Sequence, residues 1–151
     1  MNTIIVEKDI KEIELIKPLW KQLNSVHFEK SIHFKSKYEK FTFDKRMEAI
    51  YEKAQKGIIK FDMLFDSDTG NYVGYCLSSI ENNSGEIESI YIENQYRKLG
   101  LGAKLMESAL NWFELNEITD IQINVVYGND EALPFYENYG FHARNYILKR
   151  K

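Results

Sequence analysis

Hydrophobic residues near the start of the chain follow first a strand period and then a helical one. The apolar run from Thr3 to Glu7 is typical of a short strand. Asp9 and Glu12 then form a capping pair in front of apolar residues at helical spacing, which predicts a helix. Pro18 should break or kink that helix, because proline lacks the N–H that hydrogen bonding inside a helix needs.

Aromatic residues without a clean period fill residues 25–43, so we expect a loop there with helical pieces. Thr42 is the predicted N-cap of a second helix, which runs from Phe43 to about Gln55. That helix should stop at Gly57, since glycine readily takes the backbone conformation that follows many helices.

Three apolar runs follow, separated by turn-forming residues. Residues Ile58–Asp66 and Asn71–Glu81 have the composition of two strands, and residues 67–70 between them are typical of a hairpin turn. Residues 82–85 form the next turn and lead into a third strand, Ile87–Ile92, which we take as central.

The central strand breaks the period of two that a regular strand requires. In a regular strand Ile87 would face opposite to Ile90 and Ile92. A bulge near Glu88 and Ser89 would restore a common face, and it would leave main-chain N–H and C=O groups free to pair with a ligand. The alternative is a strand buried on both faces, which needs no bulge.

The last third of the chain completes the expected order of elements. A long helix ends near Leu115, a strand follows from Ile121 to Val126, and Asn129 caps a short helix that ends at Gly140. Residues 141–151 are predicted to form a last strand. The order β-α-α-β-β-β-α-β-α-β predicts an α/β fold with a mixed sheet and helices on both faces, in one domain over residues 1–151.

Composition narrows the class of protein. With 151 residues, 44% of them apolar and 14% aromatic, the chain is long enough for one folded domain with a core. The net charge of −3 gives no support for a nucleic-acid partner. No apolar run is long enough to span a bilayer and no leader follows Met1, so we expect a soluble cytoplasmic protein without a membrane partner.

Cysteine and histidine usage argues against a metal site. Cys76 is the single cysteine, which excludes an intrachain disulfide and a thiolate metal cluster. The three histidines, His27, His33 and His142, lack the spacing of metal ligands. No metal is therefore expected.

Two glycines stand where the central strand passes into the long helix. Gly100 and Gly102 let a ligand approach the main chain without a Cβ in the way, and Arg97 and Lys98 add positive charge. The first N–H groups of a helix have no partner inside it, so this entry can hold a phosphate. The spacing matches neither G-x-x-x-x-G-K-[ST] nor G-x-G-x-x-G, since Leu105 stands where the last glycine belongs. An R-x-x-G-x-G pattern remains, and something phosphorylated is expected to bind it.

Two segments carry a resemblance to a known family. IYIENQYRKLGLGAKLM resembles the pyrophosphate-binding segment of the GCN5-related N-acetyltransferase (GNAT) family, which uses acetyl-CoA. NDEALPFYENYGF resembles the family's closing N-x-x-A-x-x-F-Y-x-x-x-G-F segment. The match extends from about Val73 to Phe141, and the residues before it resemble the family only in their order of elements. Asn94 stands where the family often has proline, and Lys98 where it often has glycine.

The resemblance implies a GNAT-like fold with a splayed strand pair and a site for acetyl-CoA as co-substrate. Tyr136, in the family's tyrosine position before Gly140, is implied as the acid for the departing CoA thiolate. Asn129 is implied to hydrogen-bond the pantetheine arm, although helix capping alone would also explain it. The implied cofactor-binding residues are Ile90, Tyr91, Ile92, Arg97, Lys98, Leu99, Gly100, Leu101, Gly102, Ala103, Asn129 and Tyr136.

The proton acceptor is sought among the carboxylates of the central strand. Glu88 is preferred to Glu86 as the catalytic base, because partial burial at its position would make it more basic. The alternative is that both carboxylates only steer a cationic amine while water takes the proton. The oxyanion is expected to be stabilised by main chain, at the Ile90 or Ile92 amide.

The function expected from these residues is transfer of acetyl from acetyl-CoA to a primary amine, by direct attack in a ternary complex. A non-catalytic acyl-CoA-binding sensor or regulatory module is the alternative. Cys76 is expected as a buried small hydrophobe, with an acyl-cysteine intermediate as the other reading. His27 and His33 either line an acceptor pocket or pack in their loop. The amine acceptor and a homodimer are left open.

Overall fold

The computed structural model describes residues 2–151, in which five strands form one sheet. The strands are β1 (Thr3–Lys8), β2 (Ile58–Asp66), β3 (Asn71–Glu81), β4 (Ser84–Ile92) and β5 (Asp120–Ile123). Their order across the sheet is β1-β2-β3-β4-β5, antiparallel from β1 to β4 and parallel between β4 and β5. The predicted hairpin is confirmed, since β2 and β3 pair directly across residues 67–70.

Helices cover both faces of this sheet. They are a 3₁₀ helix (Ile10–Ile16), α1 (Lys17–Lys30), α2 (Lys35–Lys40), α3 (Phe43–Lys56), α4 (Leu101–Leu115) and α5 (Leu133–Glu137), with 3₁₀ turns at Asn94–Tyr96 and Asp130–Ala132. Trp20 of α1 and Ile50 of α3 belong to the cluster on one face, and Phe113 of α4 belongs to the cluster on the other. This confirms the predicted mixed α/β fold. Within residues 2–151 no helix is both long and apolar enough to cross a membrane.

The helix caps follow the sequence. The Thr42 side chain accepts a hydrogen bond from the Lys45 amide at 3.2 Å, and the Asp9 side chain accepts one from the Lys11 amide at 2.9 Å. The helix that Asp9 caps is 3₁₀, and Pro18 lies in the first turn of α1. Proline suits that position because the first amides of a helix have no partner inside it. The predicted break is confirmed, because the 3₁₀ helix ends at Ile16 and Pro18 lies at the start of a new helix.

The structure corrects two predicted strands. β5 ends at Ile123 instead of Val126, because it pairs with β4 only through Ser84–Ile87 and the chain beyond has no strand beside it. Residues 141–151 form no strand at all. This tail pairs with no strand of the sheet, and three consecutive apolar residues in it are therefore 75%, 76% and 93% exposed. They are Tyr146, Ile147 and Leu148.

The predicted bulge in the central strand is confirmed. Leu77 pairs with Ser89 and Ser78 pairs with Ile87, so Glu88 is an extra residue in β4. As a result Ile87, Ile90 and Ile92 all pack on the α4 side of the sheet, which a regular strand would not allow.

Candidate active site

A cavity of about 80 Å³ opens where β4 and β5 stop pairing. The strands are paired as far as Ile87 and Ile123, and past that point the bulged part of β4 and residues 124–126 separate. The cavity lies in this gap and is lined by Leu23, His27, residues 87–90, residues 123–126, Asn129, Ala132 and Tyr136. It brings together Glu88, Ile90, Asn129 and Tyr136, which the sequence had singled out separately.

The cavity wall contains side chains from both faces of the sheet. Leu23 and His27 come from α1, which packs on the same face as α3. Ala132 and Tyr136 come from the 3₁₀ turn before α5 and from α5 itself, and Tyr136 packs on the α4 face. Two molecules could therefore meet in the gap from opposite sides of the sheet.

Tyr136 is held by aromatic neighbours. Its ring lies 5.3 Å from Phe135 and 6.5 Å from Phe141, measured between centroids. Burial raises the pKa of Tyr136 to about 12, with a smaller contribution from Cys76, so the hydroxyl stays protonated at neutral pH and can donate. The nearby Tyr139 packs on Phe135 at 5.4 Å and does not line the cavity.

Glu88 is held by three side chains. Arg46 donates to Oε1 at 3.2 Å, while Lys53 and Ser79 each donate to Oε2 at 2.5 Å. The Glu88 side chain is fully buried among these partners. Because both oxygens are occupied, this geometry favours a positioning role over proton abstraction, and the role of Glu88 as base stays a prediction. The other carboxylate considered from the sequence, Glu86, bonds Lys53 at 3.3 Å and does not line the cavity.

Asn129 does not cap its helix through its side chain. The 3₁₀ turn and α5 that follow it have no side-chain cap, and Asn129 engages the turn only through its main chain. Its backbone amide donates to the Val126 carbonyl at 2.9 Å, and its carbonyl accepts from the Ala132 amide at 3.3 Å. Asn129 therefore occupies the predicted N-cap position without a side-chain capping hydrogen bond, and it lines the cavity.

His27 lies in the cavity wall. The sequence had left open whether it lines a pocket or only packs in its loop. Burial, assisted by the positive charges of Lys37 and Arg46, lowers the pKa of His27 to about 4, so the imidazole is neutral at physiological pH. Its ring lies 5.6 Å from Tyr38. No hydrophobic period in residues 25–43 could have identified this position. His33 instead stacks on Tyr127 at 6.2 Å, outside the wall.

Cys76 lies in the core and not in the cavity. It is 1% exposed, and burial raises the pKa of its thiol to about 12. Both observations are unfavourable for a nucleophile, since the thiolate is the reactive form. Among residues 2–151 no group of three or more His, Cys, Asp or Glu side chains is arranged to hold a metal ion.

The N-terminus of α4 fits an anionic ligand. Gly100 adopts the left-handed conformation, with φ of 76°, and offers no side chain to bond the first amides of the helix. The first turn contains no acidic residue, so nothing in it neutralises the positive end of the helix dipole. Arg97 is fixed beside this turn, because its Nε donates to the Ile92 carbonyl at 2.9 Å and its guanidinium lies 5.2 Å from the Tyr91 ring centroid. Lys98 and Leu99 are exposed.

At some positions of the predicted cofactor segment the side chain, or the Cβ that a side chain would add, points into the protein. A Cβ on Gly102 would lie 3.1 Å from the Phe135 ring, so this glycine permits α4 to pack against α5. The Leu101 side chain is buried, and the Tyr91 hydroxyl donates to Gln22 at 3.1 Å. Ligand contacts at these three positions would have to be made by main chain. The contact between Gly102 and Phe135 also places the α4 N-terminus beside the helix that carries Tyr136.

The chain is similar to known acetyltransferases. The model of the acetyltransferase (GNAT) family matches residues 21–141. An N-alpha-acetyltransferase from Caenorhabditis elegans is 35% identical over 75 residues, which are 46% of this chain and 41% of that protein. The chain spans about half the length of the curated relatives it matches.

Solved structures share the fold. A PaiA N-acetyltransferase from Thermoplasma acidophilum, solved with coenzyme A, has a TM-score of 0.72 at 19% identity, over 97% of this chain and 94% of that one. A GCN5-related N-acetyltransferase from Ralstonia eutropha JMP134 has a TM-score of 0.76 at 13% identity, over 99% of both chains. These likenesses establish the fold, and the family model covers most of the sequence. The chain therefore belongs to the acetyltransferase (GNAT) family.

Proposed function

We propose that the chain transfers the acetyl group of acetyl-CoA to a primary amine, by direct attack in a ternary complex. The observation that carries this proposal is the cavity between β4 and residues 124–126, whose wall has side chains from both faces of the sheet. Acetyl-CoA would occupy the α4 and α5 side, with its phosphates at the N-terminus of α4. The amine would enter from the side of α1.

The reaction passes through a tetrahedral oxyanion at the thioester carbon. The amine nitrogen attacks the carbonyl carbon, and a main-chain N–H at Ile90 or Ile92 stabilises the oxyanion that forms. The C–S bond then breaks, and the Tyr136 hydroxyl donates its proton to the leaving sulfur. The proton lost by the amine goes to water, directly or through a carboxylate such as Glu88. Tyr136 is reprotonated from solvent, so the cycle releases CoA and the acetylated amine.

One observation supports the assignment of Tyr136 over Tyr139. Of the tyrosines in the closing segment, Tyr136 alone lines the cavity. A covalent route through Cys76 is unfavourable, because that thiol is buried and lies outside the cavity wall.

A panel of amines incubated with acetyl-CoA tests the proposal through release of free thiol. Because a Caenorhabditis elegans relative is named an N-alpha-acetyltransferase, the panel should include short peptides with free N-termini beside polyamines, amino sugars and amino acids. We expect amine-dependent thiol release with at least one acceptor class and a matching mass increase of that acceptor. Tight acetyl-CoA binding without turnover on any amine would favour the sensor alternative instead.

A further inference from the structure

The bulge in β4 takes Glu88 out of register with β3, and Arg46 bonds the main chain at that position. Nη2 of Arg46 donates to the Glu88 carbonyl oxygen at 2.8 Å. A bulge interrupts the ladder of main-chain hydrogen bonds, and a buried carbonyl without a partner would be costly. The Arg46 side chain from α3 thus makes the hydrogen bond to this carbonyl that a neighbouring strand would make in a regular sheet.

The same nitrogen of Arg46 also donates to the Glu88 carboxylate at 3.2 Å. Arg46 therefore fixes both the main chain and the side chain of the inserted residue. Lys53 and Ser79 bond the Glu88 carboxylate at its second oxygen and make no bond to the Glu88 carbonyl. The Glu88 side chain is 0% exposed and that of Arg46 19%, so water competes little for these bonds.

Ser89, the residue after the bulge, is also held by a hydrogen bond. The hydroxyl groups of Tyr75 and Ser89 lie 2.6 Å apart and share a hydrogen bond. Past Ser89 the strand returns to its register, with Ile90 opposite Cys76. A slip of one residue would turn every following side chain to the other face. Ile90 would then leave the α4 side, where it now packs.

We propose that Arg46 is a positioning residue for acetyl transfer, holding the β4 bulge so that the main chain from Glu88 to Ile90 forms its wall of the cavity. This inference rests on the proposed function, because the cavity is taken as the place where thioester and amine meet. Glu88 is then the anchor for Arg46, and its carboxylate is bonded by both Arg46 and Lys53. The amine loses its proton to water.

Four variants separate this role from simple stabilisation and from catalysis by Glu88. Arg46→Gln removes the bond to the main chain, and Arg46→Lys keeps a cation that can restore part of it. Lys53→Gln is the matched control, because Lys53 bonds the same carboxylate but not the carbonyl. Glu88→Gln removes the charge and keeps the main-chain carbonyl that Arg46 bonds.

We expect Arg46→Gln to lower kcat by about ten- to a hundredfold, the range for misplacing reacting groups or an oxyanion donor. KM for acetyl-CoA should change less than about twofold, since the phosphates bind at α4. Arg46→Lys should recover part of kcat, and Lys53→Gln should lose less than Arg46→Gln. Glu88→Gln should lose the same factor at acidic and alkaline pH.

Hydrogen exchange of the Ser89 and Tyr91 amides, whose residues pair with Leu77 and Tyr75 of β3, gives a readout that does not need turnover. We expect both to exchange faster in Arg46→Gln and to keep their rates in Lys53→Gln, with thermal unfolding showing that each variant is folded. Unchanged kcat and unchanged exchange in folded Arg46→Gln would overturn the inference. So would a loss in Glu88→Gln confined to acidic pH, which would make Glu88 the base. If the unaltered protein acetylates no amine, the proposed function fails, and the exchange rates alone decide whether Arg46 holds the bulge.

Discussion

Among single residues, Tyr136 combines a protonated hydroxyl with a place in the cavity wall. Its ring is fixed by Phe135 and Phe141, so removal of the hydroxyl oxygen should leave the packing intact. We therefore expect Tyr136→Phe to keep acetyl-CoA affinity and to lose turnover by roughly ten- to a thousandfold, the range for a positioned proton donor. Calorimetry and thiol release measure the two quantities.

Tyr139→Phe is the matched control for that prediction. Tyr139 packs on the same phenylalanine, Phe135, but lies outside the cavity wall, so its variant should turn over normally. The opposite result, with Tyr139→Phe inactive and Tyr136→Phe active, would show that the closing segment is misassigned.

Glu88 shows how far single residues can be predicted from sequence. The spacing of Ile87, Ile90 and Ile92 indicated a bulge near Glu88 and Ser89, because a strand has a strict period of two, and the structure places it at Glu88. The partners of its carboxylate could not be found that way. Arg46 and Lys53 lie on α3, far away in the chain, and no local pattern links a helix face to one strand position.

At the scale of elements, the N-terminus of α4 is the proposed anion site. Ala103→Glu would put a carboxylate in the first turn of α4, where it interacts favourably with the positive end of the helix dipole. The fold should therefore stay stable. The same charge would repel the phosphates of CoA, so we expect at least about a tenfold loss of CoA affinity. Calorimetry on the folded variant measures it. Substitution of Gly102 is a poorer test, because its Cβ would press on Phe135.

Ala103→Gln separates charge from size at the same position. It should bind CoA more tightly than Ala103→Glu, since it adds nearly the same volume without charge. Equal affinity in both variants would remove the α4 N-terminus as the phosphate site.

Elements with strong local signals were predictable, and those that depend on neighbours were not. The Thr42 cap and the hairpin at residues 67–70 are determined by a few adjacent residues. The length of β5 and the lack of a strand in residues 141–151 depend on which partner strand is within reach. That information is tertiary, so the sequence pattern overstated both.

For the whole molecule, the partly buried His27 couples stability to pH. Its pKa in the folded state is lowered to about 4 from 6.5, so between these values the unfolded chain binds more protons. Stability should therefore fall as pH drops through this window, by about 2 kcal/mol from His27 alone between pH 7 and pH 5. Urea unfolding at both pH values measures the loss.

His27→Gln keeps a polar side chain at this position and removes the titration. The variant should lose less stability than the unaltered protein over the same pH interval. An identical pH dependence in both would mean that His27 is not held neutral by the fold.

The short pairing between β4 and β5 has a consequence for motion. Only four residue pairs join the strands, and past Ile118 no side chain among the described residues is fully buried. Yet this last part of the chain carries Asn129 and Tyr136, one whole side of the cavity wall. Besides the short pairing it is anchored by Phe135 and Phe141, which pack on the α4 cluster, so we expect it to open locally at less than the free energy of global unfolding. We therefore expect the cavity wall to open and re-form in each catalytic cycle. Release of CoA would then depend on this local opening, while β2 and β3 stay paired.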